Sequence, residues 1–402
     1  MVNKIVLYAI NAVSPGWSDK PFDVSILPFS ILADVSVEDV SPLITENTFD
    51  WAKSTLKAED LKTLKSVRYA IVYRYQTQNS FYGDEDIDAE TYITNIAACL
   101  RLIRPMRQNA LVAQGHTTAD GTLDVGHFDH PIYLMEVPFV QKLFHLHNED
   151  LDLLRLLIQP YLKAMTGEYW KFRMAMQYHD AGHWEDKFWK PRFTLWVSGI
   201  EALFATDDTN HGGRLVTSER VKYFLGGDTN IYEPGDIPSY LPQAKFTVSE
   251  IIEDIYKLRN CIVHGERVPT CYAAKGREGV SFTEEINRVD VLFEGLSFIL
   301  RKSLLRVLRD NLLEEFKDRV SSRKYWKILS LTRRDLMAEK GVLQVLKDRK
   351  TPLTAGDITL ILNNEKTTHI KLHTEPDITK YLKAGTSKGT IRDNGNGTYD
   401  AL

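Results

Sequence analysis

Cysteine is scarce in this chain. Cys99, Cys261 and Cys271 are an odd set of three among 402 residues, without metal-ligand spacing, so neither a disulfide scaffold nor a thiolate zinc site is supported and reduced surroundings fit best. Long apolar runs are missing too. Nothing approaches the roughly 20 residues needed to cross a bilayer, and Ile5 to Ile10 lacks the length and the small-residue cleavage site of a secretory signal. Charge of one sign does not prevail: 50 Lys and Arg stand against 54 Asp and Glu, a formal −4, which excludes a basic glove for a long polyanion over the whole molecule. A soluble, cytoplasmic protein without a membrane partner is expected. Gly212-Gly213 and Gly226-Gly227 lack the Lys and Ser or Thr of a phosphate-binding loop and the spacing of a dinucleotide fingerprint, and no Gly-x-Ser-x-Gly elbow occurs. Neither a repeat nor a low-complexity tract is present.

What is present is enough apolar material, 43% of residues, for more than one core. Ile5 to Asn11 and Val67 to Gln76 read as strands, Ile87 to Leu102 as a helix, and Gly115 to Gly126 as a turn or hairpin. From Pro138 helix periods take over. Phe193 to Phe204 is apolar nearly all round, as suits a helix inside a bundle. Val216 to Leu225 is a shorter helix closed by Gly226-Gly227. After a loop with Pro234, Pro238 and Pro242, Thr247 opens a helix that runs to His264 before Gly265. Beyond a second loop around Gly276 and Gly279, the apolar stripe from Ile286 to Leu312 marks one long helix reaching towards Val320. The fold class expected is α+β overall: an α+β N-terminal domain over 1–130, suited to substrate or trigger recognition, a mainly α-helical bundle over 131–322, and a small C-terminal appendage over 323–402 whose purpose the sequence does not reveal.

The chemistry concentrates at Arg259-Asn-Cys-Ile-Val-His264. On a regular helix, positions five apart differ by about 140° around the axis and about 7.5 Å along it. A terminal turn that loosens at Val263-His264-Gly265, or a second copy of the domain, would gather both side chains around one phosphodiester. Arg259 offers a permanently charged fork that matches phosphate oxygens. His264 can take a proton from a ribose 2′-hydroxyl or give one to a departing 5′-oxygen without a metal. Asn260 can orient ribose, phosphate or imidazole.

The segment Tyr256-Lys-Leu-Arg-Asn-Cys-Ile-Val-His-Gly265 resembles the signature of the HEPN superfamily, helical domains of many prokaryotic toxin, antiviral and RNA-processing ribonucleases: Arg, a polar residue, three further residues, His. Phe193 to Phe204 and Ser218 to Leu225 resemble the first two core helices of its Apea-like branch, so the likeness covers roughly residues 165 to 320. It implies a HEPN-like bundle and a metal-independent endoribonuclease acting as a homodimer. Arg259 and His264 of both subunits would line one cleft, a 2′,3′-cyclic phosphate would be the product, and Glu201 would support the site, with Arg220 as its expected partner. RNA, a second copy of the chain and an antitoxin or regulatory protein are the implied partners, in a toxin or antiviral role. No cofactor or metal ion is expected.

Other readings stay open. Arg259 and His264 can cap a helix C-terminus and pair with carboxylates, Glu201 can answer a nearby cation for packing alone, and the domain can be an inactive RNA-binding or protein-interaction module. Arg301, Lys302, Arg306 and Arg309 read as the wet face of a helix rather than a binding patch. His179 and His183, four apart, have the spacing of metal ligands on a helix, yet Gly182 and the aromatics Trp184, Phe188 and Trp189 favour a helix end packed by rings. His145 and His147, two apart, point away from each other.

Overall fold

A computed structural model describes residues 1–10, 22–23, 27–44, 67–78, 82–104, 108–119, 121–134, 146–183, 188–206, 213–232, 246–266, 282–329, 331–349, 351–364 and 374–402. Trp184, His145, Cys271, the proline loop at 234–242 and the glycines at 276 and 279 lie outside these. The fold is mixed α+β, and the chain divides into two compact units, a larger one of residues 1–203 and 221–318 and a smaller one of 204–220 and 319–402.

In the larger unit, β1 (Val2–Ala9), β3 (Phe29–Ser30), β4 (Val35–Asp39), β5 (Tyr69–Thr77), β6 (Gln108–Thr117) and β7 (Leu123–Leu134) form an antiparallel sheet in the order β3-β4-β5-β1-β6-β7. A second, two-stranded sheet pairs β2 (Phe22–Asp23) with β8 (Leu146–His147). The alternation of a strand sends Ile5, Leu7 and Ala9 into a core with Val72, Ala113 and Val125, and Lys4, Val6 and Tyr8 to the opposite face. There α1 (Asp84–Ile103) crosses the sheet. Its Asp86 takes Lys4 Nζ at 2.8 and 2.9 Å, Tyr75 Oη, and Gln114 Nε2 at 3.2 Å. Burial pushes the Asp86 carboxyl up, but hydrogen bonds from Lys4, Tyr75 and the Gly83 N–H outweigh it and hold the pKa below the usual range.

The helices that follow among the described residues are α2 (Asn148–Thr166), α3 (Trp170–Ala181), α4 (Trp189–Phe204), α5 (Gly213–Leu225), α6 (Val248–Val263) and α7 (Phe282–Arg309). All lie in the larger unit except Phe204, the last residue of α4, and the first part of α5, up to Arg220, which belong to the smaller unit. The larger unit spans the expected boundary near residue 130, because α1 packs against the sheet on one side and against α2 and α7 on the other. Arg104 binds Asp150 of α2 at 3.0 Å through two nitrogens, and Arg101 Nη2 reaches Asp180 of α3 at 2.9 Å. The long helix stops at Arg309 rather than continuing towards Val320. Asn311 adopts φ +55°, its N–H bonds Leu308 O, and Leu312 N–H bonds Val307 O, which is a left-handed helix closure with Asn in the place glycine usually takes.

Arg301 and Arg306 are not a solvated stripe. Arg301 donates to Leu102 O and Ile103 O at the end of α1, and Arg306 to Phe224 O at the end of α5. Each cation satisfies carbonyls that a helix leaves open at its C-terminus.

In the smaller unit, α8 (Arg319–Ile328) brings Trp326 against Phe204 and beneath Arg220. Then come α9 (Arg333–Arg349), β9 (Leu353–Thr354), α10 (Ala355–Asn364), α11 (Glu375–Ser387), β10 (Ile391–Asp393) and β11 (Thr398–Ala401), with strands in the order β10-β11-β9. No helix among the described residues is long and apolar enough to cross a membrane.

His179 and His183 end up in the interior. Their ring centroids lie 4.4 Å apart with the planes tilted by 59°, and His183 meets Trp196 at 5.1 Å. Of the aromatics expected around them, Phe188 is 85% exposed; Trp196 does the packing, donating its Nε1–H to His179 O. Burial, with Arg101 next in weight, holds His183 down to about 3, and burial, His183 and Arg101 hold His179 well below its ordinary value. The folded state therefore excludes protons that the unfolded chain accepts below about pH 6.5. Stability is complete above that pH and declines as pH falls, by up to about 1.4 kcal/mol per pH unit for each histidine. Neither ring nitrogen of His179 has a partner among the described residues. His179→Leu is accordingly expected to leave stability at pH 7 unchanged or raised and to flatten the acid slope in denaturant titrations at several pH values. By contrast, Asp180→Ala strands the buried Arg101 cation and is expected to cost about 3 kcal/mol by urea denaturation, more than Arg101→Met.

Candidate functional site

The helix α6 is built to end where it does. Thr247 caps its start: Thr247 Oγ1 accepts from Glu250 N–H while Glu250 Oε2 accepts from Thr247 N–H, a reciprocal pair that satisfies two open donors. Ile251, Ile252, Ile255 and Leu258 bury one face, and Ile251 sits so close to Gly295 of α7 that a Cβ there would come within 2.4 Å of it. At the far end His264 is the C-cap. Gly265, at φ +68°, turns the chain left-handed, Gly265 N–H bonds Ile262 O at 3.3 Å, and Glu266 N–H bonds Cys261 O at 2.9 Å. That pair of bonds is the Schellman closure. The terminal turn is thus fixed by hydrogen bonds rather than loosened.

The closure leaves the imidazole of His264 exposed. Arg259, just over a turn earlier, is half-buried. Its Nη1 lies 3.4 Å from Asn260 Oδ1, and its buried Nε has no partner among the described residues. Neither Arg259 nor His264 forms an ion pair among the described residues. The expectation that they serve as caps paired with carboxylates therefore finds its capping half in the backbone position of His264 and no ion pair for either side chain.

Glu201, on α4, is half-buried. Burial raises its pKa and the field of Arg259 lowers it, with burial the stronger. Arg259 is thus the cation acting on Glu201. Arg220, the expected partner, is fully buried in the smaller unit, where its Nε donates to Leu331 O at 3.0 Å and its Nη1 to Phe204 O at 2.8 Å and Thr206 Oγ1 at 2.9 Å. A guanidinium with three such oxygens in reach is a structural brace.

One titratable group escaped the sequence. Asp290 of α7 is buried with Oδ1 unpartnered among the described residues, and burial together with Glu294 raises its carboxyl to about 6. Nothing in an Asp on a helical stripe signals this; only its burial in the folded chain reveals it. Cys261, inside the motif, is disulfide-bonded, whereas Cys99 is free and buried. An odd number of cysteines excludes complete pairing, not a single bond, and the expectation of no cross-link is corrected. His179 and His183 form no metal site with a third ligand, since among the described residues no group of three His, Cys, Asp or Glu could hold an ion.

The position of His264 rests on Gly265. Gly265→Ala meets no steric obstacle, but the left-handed conformation costs an L-residue about 1 kcal/mol or more, so a stability loss of that size is expected by thermal or urea denaturation. Comparison with protein-family models, with curated proteins and with solved structures finds no match for this chain.

Proposed function

We propose that this chain is a metal-independent endoribonuclease whose larger unit carries a HEPN-like bundle. The observation that carries the reading is the state of Arg259: a half-buried guanidinium with no ion pair among the described residues, on the helix whose end presents an exposed imidazole. A permanently charged fork set into a partly dry surface interacts with a phosphate more strongly than it would in water.

In the proposed reaction the ribose 2′-oxygen attacks the adjacent phosphorus while an imidazole at position 264 removes the 2′-hydroxyl proton. The P–O5′ bond breaks, the leaving 5′-oxygen takes up a proton, and a 2′,3′-cyclic phosphate and a 5′-hydroxyl result. Arg259 holds the non-bridging oxygens and stabilises their growing charge. Asn260, beside Arg259, orients the phosphate or ribose. Glu201 is a positioning residue, because it lies near enough to Arg259 to feel the field of the guanidinium. Two copies of the chain would supply the second imidazole, so a homodimer belongs to the reading, as does a toxin or antiviral role.

The expected result with the purified protein, labelled mixed RNA and EDTA is cleavage that yields cyclic phosphate ends. Arg259→Ala and His264→Ala should each lower kcat/KM by about a hundredfold or more. Fragments without cyclic ends, or cleavage untouched by either substitution, would remove the basis of the proposal. RNA or protein binding that survives His264→Ala in a chain that cleaves nothing would instead support the inactive interaction module.

A further inference from the structure

The smaller unit has an order of elements that the enzyme reading does not use. Helix α9, strand β9, helices α10 and α11, and the hairpin β10-β11 surround one core, with Val342, Leu346, Ile358, Ile378, Leu382 and Ile391 at its centre. In the sheet, β11 lies between β10 and β9 and is antiparallel to both. Helix, strand, helix, helix and a returning hairpin, with the last strand central, is the topology of a winged helix-turn-helix, in which α11 takes the place of the recognition helix and the β10-β11 loop that of the wing. Residues 365–373 connect the two helices, a longer link than the minimal motif has.

The surface chemistry follows the topology. Helix α11 is capped by Thr374 and Asp377 and buries Ile378, Tyr381, Leu382 and Gly385. Its opposite stripe, Pro376, Lys380, Lys383 and Ser387, is exposed and carries no acid, although Glu375 is exposed at the first turn. Lys388, just beyond, is held by Glu339 at 2.6 Å. A Cβ on Gly385 would come within 2.5 Å of Ile391, so the glycine lets the helix lie directly on the hairpin. The hairpin loop is preshaped: Gly395 and Gly397 take φ near +77° and +79°, Asp393 Oδ1 accepts from Gly395 N–H, and Asn396 Oδ1 accepts from Thr398 N–H. Arg392 stands exposed at its base. Residues 319–402 contain 16 Lys and Arg against nine Asp and Glu, while the whole chain is formally −4.

We propose that the smaller unit binds duplex DNA, with α11 in the major groove and the β10-β11 loop against the neighbouring backbone. The choice of DNA is geometric. A helix about 10–12 Å across matches the roughly 12 Å major groove of the B-form, whereas the deep, narrow major groove of A-form RNA does not admit one. Lys380, Lys383 and Arg392 supply phosphate contacts, which set affinity and salt dependence without reading sequence.

The test uses the full chain and a short, fluorescently labelled, mixed-sequence DNA duplex, with polarisation measured from about 50 to about 200 mM salt. Wild-type binding should be salt-sensitive and should exceed binding of an RNA duplex or single strand of matching sequence. The paired substitution Lys380→Ala and Lys383→Ala should weaken it at least about tenfold and reduce the salt slope by about two, and Arg392→Ala on the wing should reduce the slope by about one. Melting curves check that both variants fold, and either is sufficient alone. Absence of duplex binding at low salt, equal or better binding of RNA, or binding indifferent to both variants would overturn the proposal, the last pointing to a protein-binding use of the same topology.

Discussion

The larger unit depends on how it accommodates one cation in its interior. Arg101 is almost fully buried where β1, α1 and α3 meet, bonded to Tyr8 Oη at 2.8 Å and to Asp180 at 2.9 Å. An isolated charge at that depth would cost several kcal/mol, so the sheet and the helices cannot separate without exposing or stranding it. The same cation bears on its neighbours. It helps to keep His179 and His183 neutral, which lets two imidazoles lie in contact inside the unit instead of repelling one another. Helix α7 packs against α1, α2 and α3 and also against α6, so the helix that carries Arg259 and His264 rests on elements fixed by this buried pair.

Helix ends are the second constraint. Arg301 covers the carbonyls at the end of α1, Arg306 one at the end of α5, and left-handed residues close α6 at Gly265 and α7 at Asn311. These devices decide which side chains reach the surface. At the end of α6 the backbone of His264 is occupied by the cap while its ring is free of it.

Much of this could be read from residues alone. The strands near Ile5 and Tyr69, the helix after Asp84, the hairpin about Gly121 and the start of α6 at Thr247 follow local rules of alternation, periodicity and capping, and the structure places them within a few residues of expectation. The position of Arg259, Asn260 and His264 at the end of one helix was legible for the same reason. What failed depended on partners distant in sequence. Arg220 was matched to Glu201 because a lone carboxylate in an apolar helix needs a cation, whereas the hydrogen bonds of Arg220 run to Phe204, Thr206 and Leu331. Arg301 and Arg306 were assigned to a wet face because a charge series gives no sign of the carbonyls beneath it. The smaller unit was opaque because its strands are two to four residues long, too short to show a period, and only their pairing order makes the topology visible.

The distribution of charge bears on both proposals in opposite ways. Residues 1–318 hold 34 Lys and Arg against 45 Asp and Glu, so the portion that carries Arg259 does not attract a polyanion from a distance, and screening confines any repulsion to about 8–10 Å at ordinary ionic strength. On the proposed reading, RNA at Arg259 would be held by close contacts in a partly dry setting, where one guanidinium counts for more than several mobile lysines. Residues 319–402 show the reverse arrangement, an excess of seven positive charges, with Lys380 and Lys383 on the surface among them. That suits attraction along a regular backbone better than catalysis, because a point charge on a long stem binds phosphate without fixing its orientation. Under the two proposals, one chain would separate the two requirements of nucleic-acid chemistry, with close contacts in an acidic portion and diffuse basic charge in residues 319–402.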